Sequence, residues 1–153
     1  MFHILLFAPQ IPPNTGNIIR LSANTGTKLH LIEPLGFRLD EKSCRRAGLD
    51  YHSLANVQIH KHLDECVELV GLARLFVITS HGTESLFDQK FATGDAFLFG
   101  SETAGLPEQV HARFTADRKL RLPMIGGNRS LNLANAASIV VYEAWRQIGF
   151  VST

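Results

Sequence analysis

Residues 122–147 read LPMIGGNRSLNLANAASIVVYEAWRQ. A loop of Pro, Gly and Asn gives way to Ser130, whose hydroxyl suits an N-cap because it can accept a free backbone amide. A helix of about four turns is expected to follow, ending near Gly149. Leu131, Ala134, Ala137, Ile139, Val141, Ala144, Trp145 and Ile148 keep much of it apolar. Ala134, Ala136, Ala137 and Ser138 are small enough for close backbone approach. Such a helix belongs against its own sheet or a second subunit. Its first turns are polar: Asn132 and Asn135 stand at i,i+3 spacing beside the open amides of the helix start. They suit either capping and packing, or a ligand held where a glycine-bearing loop meets a helix.

Working back from this helix, short apolar runs alternate with helical patterns. Strands are expected at residues 2–8, 29–32, 57–60, 75–79, 95–100 and 120–122. Helices are expected from Asn14 or Thr15 as cap to about Asn24, closed by Gly26, and then at 41–49, 62–72 and 106–114, the last begun by Pro107. Residues 34–38 read as a turn and residues 82–94 as irregular. Several strands are apolar on both faces, which is the pattern of a parallel sheet covered on each side. The expected fold is therefore α/β: a single domain over residues 1–153, with a mainly parallel sheet flanked by helices on both faces. Ligands of such sheets bind outside the carboxyl ends of the strands, here after Ile78, Gly100 and Leu122.

Composition narrows the function classes. The chain has 153 residues and a formal net charge of +1, so no global field advertises a nucleic acid and any RNA site must be a local patch. Cys44 and Cys66 form no C-x-x-C pair, which suits reduced thiols and a cytoplasmic protein. The first residues lack a basic segment and a long apolar core, and no apolar run is long enough to cross a membrane.

FGSETAGLP, residues 99–107, links a strand to a helix with Gly100 and Gly105 spaced as in a phosphate loop. Leu106 and Pro107 stand where that loop needs Lys and Ser/Thr, so nucleoside triphosphate chemistry is disfavoured. Phe99 and Thr103 flank Ser101 where a nucleophile elbow needs glycines, which disfavours a serine hydrolase. The segment suits a small-molecule loop, because Glu102 adds a charge that a plain turn does not require. His60, His62 and Cys66 offer too few ligands for a metal, and none is expected. His81 reads as a solvated loop residue. NTGNIIR sets Asn17 and Arg20 at i,i+3 beyond the carboxyl end of the first strand, and Lys42, Arg45 and Arg46 could contact phosphate.

Taken together, NTGNIIR, FGSETAGLP and PMIGGNRSLNLANAAS resemble the three motifs of the SPOUT RNA methyltransferases. IPPNTGNIIR, RRAGLDYH and VVYEAWRQ are similar to the small TrmL (YibK-like) tRNA 2′-O-methyltransferases, and the likeness spans essentially the whole chain. The resemblance implies a C-terminal deep trefoil knot, with knot and cofactor region at approximately 75–149, and a homodimer built on it. It implies S-adenosyl-L-methionine as cofactor, without a metal. The pocket would use Ile78, Thr79, Gly100, Gly105, Leu122, Met124, Ser130, Leu131 and Asn135. The substrate would be the ribose 2′-hydroxyl of the wobble nucleotide, position 34, a cytidine or modified uridine, in the anticodon stem-loop of leucine tRNAs. Arg20 would be catalytic with Asn17, Tyr142 would reach the site from a second subunit or pack the dimer, and Arg45 and Arg46 would contact RNA. No membrane or DNA partner is implied. Ala104 and Ser101 depart from the subfamily, where arginine and proline are common. The competing expectations are a 2′-O-methyltransferase for another tRNA or rRNA site, a non-catalytic RNA-binding protein with this fold, and a nucleotide-binding protein of ordinary α/β topology.

Overall fold

The computed structural model describes residues 1–39, 54–127 and 130–151. Its centre is one seven-stranded sheet in which every pairing is parallel. In chain order the strands are β1 (His3–Phe7), β2 (Lys28–Ile32), β3 (Val57–His60), β4 (Leu75–Ile78), β5 (Glu84–Ser85), β6 (Ala96–Phe99) and β7 (Lys119–Arg121). They lie side by side as β3-β2-β1-β6-β4-β7-β5. The helices are α1 (Pro12–Thr25), α2 (Leu63–Val70), the single-turn α3 (Glu108–His111) and α4 (Leu133–Gln147). The expected helix at 41–49 lies outside the described residues, as do Cys44, Arg45 and Arg46.

Alternation along the strands sorts two cores. Ile4, Leu6, Leu29, Leu31, Phe76, Phe97 and Leu120 face α1 and α4. Leu5, Ile32, Leu75, Val77 and Leu98 face α2 and α3. Both faces are thus buried, which is why β4 and β6 read as unbroken apolar runs. Phe97 sits at the middle of the first core, with its ring centroid 5.9 Å from Phe2, 6.3 Å from Phe76 and 5.2 Å from Phe91. At the edge of the same layer, buried Asp95 accepts hydrogen bonds from Arg74 and from the Ala92 amide.

Three local expectations are corrected. The first helix is not capped by Asn14 or Thr15: it begins at Pro12 with Ile11 in the N-cap position, because two prolines already hold helical φ there, and both polar residues are buried inside it. Gly26 closes it at φ 69°, as expected. The last helix is not capped by Ser130. Asn132 is its cap, accepting the Ala134 and Asn135 amides on its side-chain oxygen. Residues 82–94 are not wholly irregular, since β5 pairs with β7 at the sheet edge and a 3₁₀ turn (Leu86–Asp88) follows.

Phe97→Ala removes the ring on which three others pack. Unfolding by urea is expected to show a loss of about 3–5 kcal/mol with an unchanged m-value. A loss below about 1 kcal/mol would mean that this ring is not the centre of the core.

Candidate functional site

The carboxyl ends of β6, β4 and β7 are neighbours in the sheet, and the loops that leave them enclose a cleft of about 620 Å³. That volume lies within the ordinary range for a small-molecule site. Each wall is one loop: Ile78, Thr79, Ser80 and His81 from β4, residues 99–106 from β6, and Leu122, Met124 and residues 130–133 from β7 into α4. Ile11 and Asn14, from the start of α1, complete it.

The loop after β6 is tightly closed. Ser101 donates its amide to Gly105 O at 3.2 Å, and Gly105 returns its amide to Ser101 O at 2.9 Å. A proline at 101 could not make the first of these bonds, so the serine departure noted above has a local use. A Cβ on Gly100 would lie 2.4 Å from Gly105 C and 2.5 Å from Leu106 N, both backbone atoms. Gly105 has φ 68°, in the left-handed region. Residues 99–107 are thus a tight connection, and closing the loop forms one wall of the cleft.

The Glu102 carboxylate does not face the cleft as a free charge. Oε2 accepts the Gln10 amide at 2.8 Å, while Oε1 accepts the Ile11 amide at 3.1 Å and the Asn14 side-chain amide at 3.2 Å. Asn132 Nδ2 donates to Asn14 Oδ1 at 2.9 Å. One carboxylate and two asparagines thus tie the loop after β1, the loop after β6 and the start of α4 to one another. Sequence reasoning missed this role for Asn14 and Glu102. The only hint was that each lies next to a glycine-bearing motif, and the partners are 88 or more residues apart.

These loops carry the three segments whose likeness to a known family was noted from the sequence. The match to the SpoU rRNA Methylase family covers residues 1–142. The chain belongs to the SpoU methylase family. It is a methyltransferase, and relatives align along its full length. A tRNA (cytidine(34)-2′-O)-methyltransferase of Burkholderia ambifaria is 56% identical over 152 residues, 98% of this chain and 97% of that one. Another of that name, from Methylovorus glucosotrophus, is 53% identical over 150 residues, again 98% and 97%. Among solved structures, one concerned with 2-OH methylation of C/U34 on tRNA superposes at TM-score 0.88, with 43% identity and 97% of each chain covered. The SpoU methyltransferase AviRb from Streptomyces viridochromogenes, in complex with the cofactor AdoMet, superposes at 0.79 with 31% identity, over 95% of this chain and 57% of that one.

In this SpoU methylase the cleft brings together eight of the nine residues expected to hold cofactor: Ile78, Thr79, Gly100, Gly105, Leu122, Met124, Ser130 and Leu131. Asn135 is not among the lining residues. The cleft side of α4 presents Asn132, Leu133 and Ala136, which turns Asn135 outward to solvent, with its amide on the cap oxygen. Asn17 and Arg20 are exposed on α1, about one and two turns beyond the lining residue Asn14, and do not line the cleft. Tyr142 is 48% exposed on α4, its ring 5.8 Å from that of Trp145. His81, expected as a solvated loop residue, is exposed at the cleft wall, and its amide donates to Thr79 Oγ1 at 3.2 Å.

Closure of the loop after β6 rests on Gly100, because the space a Cβ would occupy there is already filled by backbone. Gly100→Ala is expected to open that loop, costing about 1–3 kcal/mol in urea unfolding and weakening S-adenosylhomocysteine binding at least about tenfold. Gly126→Ala, whose Cβ would meet nothing within 4 Å, should stay within about 0.5 kcal/mol of the parent. Equal behaviour of the two variants would remove the close approach at Gly100 from the account.

Proposed function

We propose that the protein transfers a methyl group from S-adenosyl-L-methionine to the ribose 2′-hydroxyl of nucleotide 34 in tRNA. The observation that carries the reading is the meeting of all three motif segments around one cleft, in a chain 53–56% identical to relatives named for that reaction. Bound there, the cofactor supplies an electrophilic methyl on a good, neutral leaving group. The apolar side chains of Ile78, Leu122, Met124 and Leu131 suit an adenosine and its thioether, and the backbone amides of the bent loops suit its polar edges.

What remains for the chain is to place and activate the hydroxyl. In-line positioning accounts for much of the acceleration when the leaving group is this good. Arg20 is not a literal base, because a guanidinium does not give up its proton in a protein. It clamps a phosphate beside the target ribose and stabilises charge on the attacking oxygen, while that phosphate or another acceptor takes the proton. Asn17 orients Arg20 or the ribose. Both are exposed on α1, within two turns of the cleft residue Asn14. Tyr142, exposed on α4, enters the site of a second copy in a homodimer, and the same helix packs the two copies together. Arg45 and Arg46 complete the proposed contacts to RNA. The finer assignment is the anticodon stem-loop of leucine tRNAs with cytidine or modified uridine at position 34, acted on in the cytoplasm, by a chain whose C-terminal segment is threaded as a trefoil knot.

Methyl incorporation into separate tRNA and rRNA pools, followed by mapping of the 2′-O-methylated nucleotide, tests the substrate. Label at position 34 of tRNA is expected, and label confined to rRNA would overturn the assignment. Arg20→Ala should lower turnover by about 10²–10³-fold while leaving S-adenosylhomocysteine affinity within a factor of about two. Unchanged turnover would remove Arg20 from the mechanism.

A further inference from the structure

A second group of donors lies on the sheet face covered by α2, and none of its members lines the cleft. His3 on β1, His30 on β2 and His60 on β3 form a row across three adjacent strands. His3 Nδ1 is 3.0 Å from His30 Nε2, and His30 Nδ1 is 3.0 Å from His60 Nε2. Cys66 of α2 lies against the same row. One donor atom from each of His30, His60 and Cys66 falls within 4.8 Å of the other two. His30 and Cys66 are fully buried, and the side chain of His60 is 12% exposed.

We propose that His30, His60 and Cys66 hold one borderline-soft transition-metal ion of the zinc class, with the fourth position left to water. Two imidazole nitrogens on one tetrahedral zinc stand roughly 3.3 Å apart, given Zn–N bonds of about 2.0–2.1 Å. The facing nitrogens of His30 and His60 at 3.0 Å need to separate only slightly. Two imidazoles and a thiolate favour such an ion over magnesium or calcium, which take oxygen donors.

The outer contacts also fit. His3 stands on the far nitrogen of His30, so that with a metal on Nδ1 a hydrogen on His30 Nε2 can be donated to His3. Glu65 Oε2 lies 3.7 Å from His60 Nδ1 and is itself held by the Lys61 amide at 3.1 Å. A carboxylate there keeps the hydrogen on Nδ1 and the lone pair on Nε2. Burial pushes the Cys66 thiol up to about 12, but a coordinated dication deprotonates a thiol. On binding, the thiol proton leaves to solvent, while His30 shifts its hydrogen from Nδ1 to Nε2 and His3 shifts from Nδ1 to Nε2 through solvent. One proton is released in all.

The sequence expectation of no metal rested on His60, His62 and Cys66. His62 is the exposed N-cap of α2 and stands outside the cluster. His30, 30 residues before His60, takes its place through strand pairing.

The test uses the full chain, stripped with EDTA and titrated with Co²⁺. One ion per chain is expected, with thiolate-to-cobalt charge-transfer absorption and intense tetrahedral d–d bands. Zn²⁺ should displace the Co²⁺, and affinity should fall about tenfold for each unit that pH is lowered. Zn²⁺ in hundredfold excess over its Kd should raise the thermal midpoint by roughly 5–10 °C. Cys66→Ala should lose the charge-transfer band, and His60→Gln, at the solvent edge, should bind at least about tenfold more weakly. His62→Ala should match the parent. Absence of saturable binding, or a charge-transfer band that survives in Cys66→Ala, would overturn the proposal. Each readout is independent of methyl transfer.

Discussion

The candidate site depends on where one carboxylate spends its hydrogen bonds. Glu102 accepts two backbone amides at the entry to α1 and the amide of Asn14, and Asn14 in turn accepts from Asn132. Amides at a helix start are partly positive and lack intrahelical partners, so an anion there is favoured by both charge and hydrogen bonding. The same contacts hold together three chain segments that a parallel sheet delivers to one edge but does not itself join.

The sheet explains why those segments meet at all. Parallel strands place every carboxyl end on one side, and the order β1-β6-β4-β7 makes the four site-bearing ends consecutive. In chain order they are far apart. The crevice outside such strand ends is where α/β proteins hold ligands. Here its floor is the buried ends of β4 and β6, and its walls are loops whose glycines allow backbone to approach backbone. The opposite end of the order, β3-β2-β1, carries the histidine row, so one sheet supports two groups of polar residues on separate surfaces.

Much of this was legible in the residues, for identifiable reasons. β4 and β6 are doubly buried and continuously apolar, and β1 and β2 are nearly so apart from His3, Lys28 and His30; such runs declare themselves. β5 has two residues, one of them Glu84, and exists only because β7 pairs with it; nothing local marks it. Ser130 was a sound cap by type, yet Asn132 took the place because Asn14 could hold its amide while its oxygen faced the helix amides. Asn14 and Thr15 read as caps but are helix-interior, because Pro12 and Pro13 start the helix before them. Cleft-lining residues next to glycine motifs were recoverable. Asn135 was expected at the cofactor but faces solvent, because a helix turns each successive side chain by about 100° and the cleft side is presented by Asn132, Leu133 and Ala136. Strand order, and with it the approach of His30 to Cys66, lay beyond any local pattern.

The central claim is that the three loops at the carboxyl ends of β6, β4 and β7 are built around a methyl donor. A crystal structure of the protein with S-adenosylhomocysteine tests it most directly. The account predicts one molecule per chain, lying between Gly100–Gly105 on one side and Leu122, Met124 and Leu131 on the other, with its sulfur toward the α1 rim. Density for the ligand at any other place on the chain, with this cleft filled only by solvent, would contradict it.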